Sequence, residues 1–341
     1  MNQNYSISYA FFVGIDMSKE KFDVGILNSN GEKIAHKVFK NNYLGFEDCL
    51  IWIKSLVGDE QTIFVMEHTG LFSRLLWFFL QDNSCSLWME SGFEVKRGMG
   101  LAKGKNDKKD SYRIAEHALN RRHKIKITPN YDEDLVLLHD LLSNRNRLVT
   151  DLNRLETPLA EMKKHGNKRS YEALVKVNAS AIKGLKSSIK EIEEAINELI
   201  STQEEWQKNI ELASSVKGIG KWTCLWILVY TRNFSKEFNS RNFASMAGVA
   251  PFESSSGSSV RNGSHNSHFS HKFLKGILHT AAMAAIRFNP AMKEYKERKK
   301  KEGKKGFLVM NNIKNKILHQ VFAVVRSGEM FKLDYKHPMA A

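Results

Sequence analysis

Four acidic residues stand where they can do metal chemistry. Asp16 closes the apolar run Val13-Gly14-Ile15-Asp16, and Glu67 closes Ile63-Phe64-Val65-Met66-Glu67. Asp107 and Asp110 lie three apart at the start of a predicted helix, on one face of it. A carboxylate at the edge of a buried strand is costly unless its charge is compensated, and converging carboxylates repel, so each holds its proton more tightly. A divalent cation resolves both problems. Hard oxygen donors suit Mg²⁺ or Mn²⁺, and Mg²⁺ stays partly hydrated and also takes up substrate phosphate oxygens. Two such ions activate an attacking oxygen and stabilise a leaving one in phosphoryl transfer. Singly, each acid also has a plain use: Asp16 as a turn cap, Glu67 as a surface residue, Asp107 and Asp110 as first-turn acids favoured by the helix dipole. It is their placement on matching elements that argues for a set.

A second candidate is the segment 248–257, read as a loop carrying three hydroxyls, Ser254, Ser255 and Ser256. Serine is a weak nucleophile unless a base or metal withdraws its proton, and serine-rich loops also serve as solvated turns. His265, His268 and His271 follow, but with no cysteine or clear fourth ligand they read as polar loop and helix-start residues rather than a metal site. Lys217-Gly218-Ile219-Gly220-Lys221 looks like the turn of a helix-hairpin-helix. Its glycines would let backbone amides approach a phosphate at the positive end of the next helix. The basic run 299–305, with Lys304, has the sign of a phosphate contact and equally fits a solvated loop.

The elements that must position these groups fall into three stretches. Residues 9–16, 21–28 and 33–39 read as a three-stranded antiparallel meander with tight turns between the strands. A helix over 43–57, a buried strand over 61–67, a helix over 71–80, a short strand over 85–89 and a helix over 107–120 follow. That order is the one of the α/β ribonuclease-H-like (RuvC-like) fold, expected for residues 1–125. From about residue 130, Leu141, Leu148, Leu152, Leu155, Leu159 and Met162 recur at helical spacing, and after a break at 165–169 so do Ile182, Leu185, Ile189, Ile192, Ile196 and Leu199. The second series alternates three and four like a heptad seam. Residues 126–208 are therefore expected as coiled-coil helices, forming an antiparallel hairpin or an intermolecular pair, with a plain helical bundle as the alternative. Residues 209–341 are expected as a mainly α-helical domain, with amphipathic segments 272–286 and 309–325 supplying much of its core.

Composition narrows the partners. The chain has 341 residues, room for two or three domains, and its hydrophobic and charged shares of 42% and 26% are those of an ordinary globular protein. The formal net charge of +15 points to a polyanion. Its apolar runs are far shorter than the roughly 20 residues of a spanning helix, and no secretory signal is visible. Cys49, Cys85 and Cys224 stand far apart and read as buried thiols in a reducing cytoplasm. Nucleic acid, met at the nucleoid, is the expected partner.

Taken together these segments resemble the serine-containing DEDD insertion-sequence transposases, the bridge-RNA-guided recombinases related to Piv-type DNA invertases. The resemblance rests on Val13-Gly14-Ile15-Asp16-Met17-Ser18-Lys19, Glu67-His68-Thr69-Gly70 and Lys105-Asn106-Asp107-Lys108-Lys109-Asp110-Ser111. It continues through Val216-Lys217-Gly218-Ile219-Gly220, Phe243 to Pro251, Ser256-Gly257, Asn289-Pro290 and Gly303-Lys304. It implies Asp16, Glu67, Asp107 and Asp110 as catalytic metal ligands, and a C-terminal serine that attacks a phosphodiester to form a transient covalent protein–DNA link. The proline-to-serine-glycine spacing selects Ser256, with Ser255 next. It further implies donor and target DNA, an element-encoded noncoding guide RNA, and a homo-oligomer, dimer or tetramer. The chain departs from the family where a lysine and a Gly-Asn pair usually follow the serine, having Asn262-Gly263-Ser264-His265 instead. Two other readings compete: a RuvC-like metal-dependent, structure-specific DNA nuclease without a covalent intermediate, and a non-catalytic nucleic-acid scaffold.

Overall fold

The computed structural model describes residues 8–67, 70–90, 92, 94–95, 106–250, 252–256, 260–265 and 271–333. The chain divides after Asp132 into two compact units.

The first unit is a five-stranded mixed sheet carrying helices. β1 (Phe11–Met17), β2 (Lys21–Asn28) and β3 (Lys33–Lys40) form the expected meander, followed by α1 (Tyr43–Val57), β4 (Thr62–Glu67), α2 (Leu71–Asp82), β5 (Ser86–Glu90) and α3 (Asp107–Asn120). The strand order is β3-β2-β1-β4-β5, with β1 antiparallel to β2 and parallel to β4, and β4 parallel to β5. Apolar runs rather than strict alternation build the central strands, because both faces of the sheet are covered. One core layer joins Phe22, Val24, Phe46, Ile53, Met66 and Leu76. The other packs Phe12, Val65 and Trp88 under Ile114, Ala115 and Ala118 of α3. The free edge of β5 is covered, since the Thr128 amide donates to the Leu87 carbonyl and the Met89 amide to Thr128 Oγ1, both at 2.7 Å.

What seats α3 so low on the sheet is a pair of glycines. Gly14 of β1 and Gly25 of β2 face each other in register. A Cβ on Gly14 would run into the Ser111 carbonyl and the Ala115 backbone, and one on Gly25 would lie 3.0 Å from the Tyr112 amide nitrogen. Only a side-chain-free patch lets a helix come this close.

The second unit is mostly helical. Its long helices α4 (Glu133–His165) and α5 (Lys168–Ser201) pack along each other as a hairpin turning at Gly166 and Asn167. The hairpin is pinned by Arg145, whose Nη2 lies 2.6 Å from Glu193 and whose guanidinium stacks 3.5 Å over Trp222. Next come α6 (Glu204–Ser215), α7 (Lys221–Tyr230), α8 (Ser240–Met246), a ribbon of β6 (Phe252–Ser256) and β7 (Val260–His265), α9 (Lys272–Phe288), α10 (Pro290–Lys301) and α11 (Gly306–Ser327). The two predicted amphipathic segments are α9 and α11, and Leu274, Leu278, Ala282, Ile313, Ile317 and Val321 are buried in their shared core. Cys49 and Cys224 are buried free thiols, whereas Cys85 is only half-buried, at the end of the turn before β5. Among the described residues no helix is long and apolar enough to cross a membrane.

Candidate active site

The three parallel strands end level with one another, and their carboxyl ends carry acids. Ile15 pairs with Met66, which sets Asp16 beside the end of β4, and Glu67 pairs with Glu90 of β5. On the other side Asp16 faces Asp23 of β2 directly in register. Asp107 and Asp110 enter from above, in the first turn of α3, where Asn106 caps the helix by accepting the Lys108 amide at 3.0 Å. The glycine seat under Ser111 and Ala115 holds that turn over β1.

The crowding has an electrostatic signature. The Asp16 carboxyl is pushed up to about 6, first by burial and then by the charges of Asp110, Asp107, Asp23 and Glu67. Asp16 therefore feels the charges of the other three acids singled out from the sequence, and of Asp23, which the sequence reading missed. Asp23 is buried, with His36 Nε2 at 2.9 Å and Lys21 Nζ at 3.3 Å. Lys21 also donates to Asp107 at 2.9 Å, and these bonds, that to Asp107 foremost, hold its proton more tightly. Arg113 Nη1 lies 2.8 Å from Asp110. With Asp107 and Asp110 each drawn to a neighbouring cation, the described residues hold no ready-made group of three His, Cys, Asp or Glu side chains around a single point. The donor set nonetheless suits a hard divalent cation: all ligand atoms are carboxylate oxygens, and their mutual repulsion is what such a cation relieves. Nothing local marks Asp23, but Gly14 and Gly25 inside two adjacent strand patterns are a legible sign of close backbone approach.

Behind this cluster His117 lies two turns beyond Asp110 on α3. It is buried against Trp88, with neither ring nitrogen hydrogen-bonded and Glu90 4.0 Å away.

In the second unit the serines lie on a strand, not in a loop. Positions 252–256 form β6, and Ser256 pairs with Val260 of β7, Ser255 with Arg261 and Ser254 with Asn262. Gly257 and His268 lie outside the described residues. His271 is a helix-start residue as expected: it caps α9 by accepting the Leu274 amide at 3.3 Å, and its Nε2 lies 3.0 Å from the Tyr230 hydroxyl.

The glycine turn joins α6 to α7, and its two glycines differ. Gly218 has φ of +105°, and a Cβ there would lie 2.7 Å from the Ala281 carbonyl oxygen, so this glycine lets the turn pack against α9. Gly220, at the N-terminus of α7, has open space before it. Lys217 is exposed, while Lys221 donates to Asn197 and lies 5.2 Å from the Trp222 ring. Lys304 is exposed just past Gly303, which ends α10 with φ of +74°. Asn289-Pro290 is likewise structural: Asn289 accepts the Ala291 amide at 3.0 Å and Pro290 opens α10.

A sheet with acids massed at its strand ends, followed by a basic helical unit, is matched in order by two family models. Residues 13–162 match a model described as transposase, and residues 210–297 one described as transposase of the IS116/IS110/IS902 family. The protein is thus a transposase in class, a DNA-recombining enzyme. It belongs to the IS110 family. The chain is 24% identical over 328 residues to the pilin gene-inverting protein of Moraxella lacunata, covering 94% of this chain and 97% of that one. The same identity and coverage hold for the pilin gene-inverting protein of Moraxella bovis. It is also 22% identical to the insertion element IS110 uncharacterized 43.6 kDa protein of Streptomyces coelicolor, over 94% of this chain and 95% of that one.

Proposed function

We propose that this protein moves or inverts DNA by a composite reaction, with a ribonuclease-H-like domain holding divalent metal and Ser256 as the nucleophile. The observation that supports the reading is that Asp16 and Glu67 lie at the carboxyl ends of parallel strands, while Asp107 and Asp110, in the first turn of α3, are close enough for their charges to reach Asp16. These four carboxylates would hold Mg²⁺ or Mn²⁺. When bound, the cation neutralises the acids and polarises a phosphodiester. Lys21 and Arg113 hold Asp107 and Asp110 apart until then.

In the chemical step the Ser256 oxygen bonds to phosphorus and the bond to the leaving deoxyribose oxygen breaks. The serine proton ends on that oxygen by way of solvent. The phosphoserine link conserves the energy of the diester, so a DNA hydroxyl attacking in reverse rejoins strands with no added cofactor. Following the family resemblance, an element-encoded guide RNA selects donor and target DNA, and the protein acts as a homo-oligomer, with the α4–α5 hairpin as a coiled-coil spacer. Lys217, Gly220, Lys221 and Lys304 are its contacts to the nucleic-acid backbone; Gly218 serves packing.

The test is covalent trapping. Wild-type protein with labelled cognate DNA, its RNA and Mg²⁺ is denatured, and label is sought on the protein beside Ser256→Ala, Ser255→Ala and Asp16→Ala. Label on wild type and Ser255→Ala, absent from the other two, is expected. Cleavage with no attached protein and indifferent to Ser256→Ala would leave a plain metal nuclease.

A further inference from the structure

The second unit contains a lysine in an unusual position. Lys314, in the middle of α11, keeps only 6% of its surface. Among the described residues it makes no ion pair, hydrogen bond or ring contact, and burial together with the charge of Lys275 lowers its proton affinity. Most of the Lys314 side chain is buried, and among the described residues no anion offsets the desolvation this costs its charge.

Its surroundings offer no remedy. α9 and α11, the helices on which Lys275 and Lys314 sit, pack together and contain no acidic residue. The sequence has none between Glu253 and Glu294, nor between Glu302 and Glu329. A chain rich enough in acid elsewhere to build ion pairs along α5 has left this pair of helices without a single anion.

The place is also specific. The segment leading into the serine strand is clamped by these same helices. At the start of α9 the His271 amide donates to the Met246 carbonyl at 3.0 Å, and on α11 Asn311 Nδ2 donates to the Val249 carbonyl at 2.8 Å. Asn311 stands one turn before Lys314, and Lys275 is in the first turn of α9. Both cations therefore flank the base of the ribbon that carries Ser256.

We propose that Lys314 and Lys275 form an anion site at the base of the serine ribbon that receives a backbone phosphate of the DNA strand under attack. The site is built with its counter-ion missing, and the substrate supplies it. This rests on the reading of the second unit as the part that joins DNA, and it names residues that hold the strand for the serine.

The experiment measures stability and binding together. Melting temperature without nucleic acid, and DNA binding by fluorescence anisotropy across a salt series, are compared for wild type, Lys314→Met, Lys314→Arg and Lys275→Gln, with exposed Lys208→Met as control. Removing an uncompensated charge is expected to raise the melting point in Lys314→Met by roughly 2–4 °C. The same variant should bind duplex DNA more weakly and reduce the salt slope by about 1. Lys314→Arg should keep the wild-type slope, Lys275→Gln should lose part of it, and Lys208→Met should change neither quantity. A guide-RNA arm identifies the strand: a slope lost for RNA but not for DNA would overturn the assignment to DNA. A lower melting point with unchanged binding would make Lys314 a packing residue and end the proposal while leaving the recombinase reading intact. Failure of wild type itself to bind DNA would overturn both.

Discussion

The acid cluster of the first unit and the basic helix pair of the second are opposite solutions to one electrostatic problem. Each gathers like charge around one group that burial sets apart, Asp16 in the first and Lys314 in the second. The acids are partly neutralised from within: Lys21 bridges Asp23 and Asp107, His36 sits on Asp23, and Arg113 on Asp110. Among the described residues Lys314 has no such partner. The first site is foldable while waiting, because it carries replaceable cations, and its remaining strain falls on Asp16. The second carries its strain openly on one side chain. Each is also brought about by glycine. Gly14 and Gly25 let α3 down onto the sheet, and Gly218 lets the α6–α7 turn against α9.

The sharpest way to break the comparison is to remove its most strained acid. Asp16→Ala should lower strand exchange on a supercoiled two-site substrate by more than about a hundredfold, since loss of outer-shell partners alone costs roughly 10–100-fold at metal sites. Wild-type rates in that variant would remove Asp16 from the chemistry.

Next in size are the glycine seats. Gly14→Ala forces α3 off β1 and should cost about 1–3 kcal/mol in urea unfolding of the first unit. Gly218→Ala, strained by its positive φ as well as by contact with Ala281, should cost a similar amount in the second. If either variant is as stable as wild type, the close approach is not required.

A smaller effect separates the two sites by pH. The folded-state Asp16 carboxyl is raised from 3.8 to about 6, so the folded protein binds a proton that the unfolded chain has released. Without divalent metal, stability should therefore fall as pH rises from about 4 to 6 and stay lower above that. Asp16→Asn removes the penalty and should be more stable at pH 7.5 by roughly 1 kcal/mol, solvent screening included, with the difference closing towards pH 4. Thermal scans with EDTA at both pH values check this. A less stable Asp16→Asn at pH 7.5 would mean that the acid is already satisfied.

The smallest effect concerns the built-in cation. Lys21→Met frees Asp107 and Asp23 and should tighten Mn²⁺ binding, read by isothermal titration, by less than about fivefold, the range of an exposed ion pair. Weaker binding would give Lys21 a supporting role rather than a competing one.

Much of the first unit was legible beforehand. The apolar runs ending in Asp16 and Glu67, and the helix opening on Asp107 and Asp110, lie where period and composition put them, because burial on both faces of a sheet writes itself along the chain. The histidine at 271 was rightly read as a helix start. The serine segment was misread as a loop, since serine and glycine suit turns as well as a two-stranded ribbon. The packing of Gly218 against α9 was not legible, because a glycine signals close approach without saying to what.

By itself the sequence determined the order of strands and helices in the first unit, the four acids at element ends, the serine-bearing segment and the excess of positive charge. Only the tertiary structure decided which charges meet. Lys21 reaches Asp107 across 86 positions, and Asn311 holds Val249 across 62. Asp23 joined the acids, and Lys314 was left without one, through strand register and helix packing. The physical reason is range: periodicity is a property of neighbouring residues, whereas the energy of a buried charge depends on groups that the chain brings near only by folding.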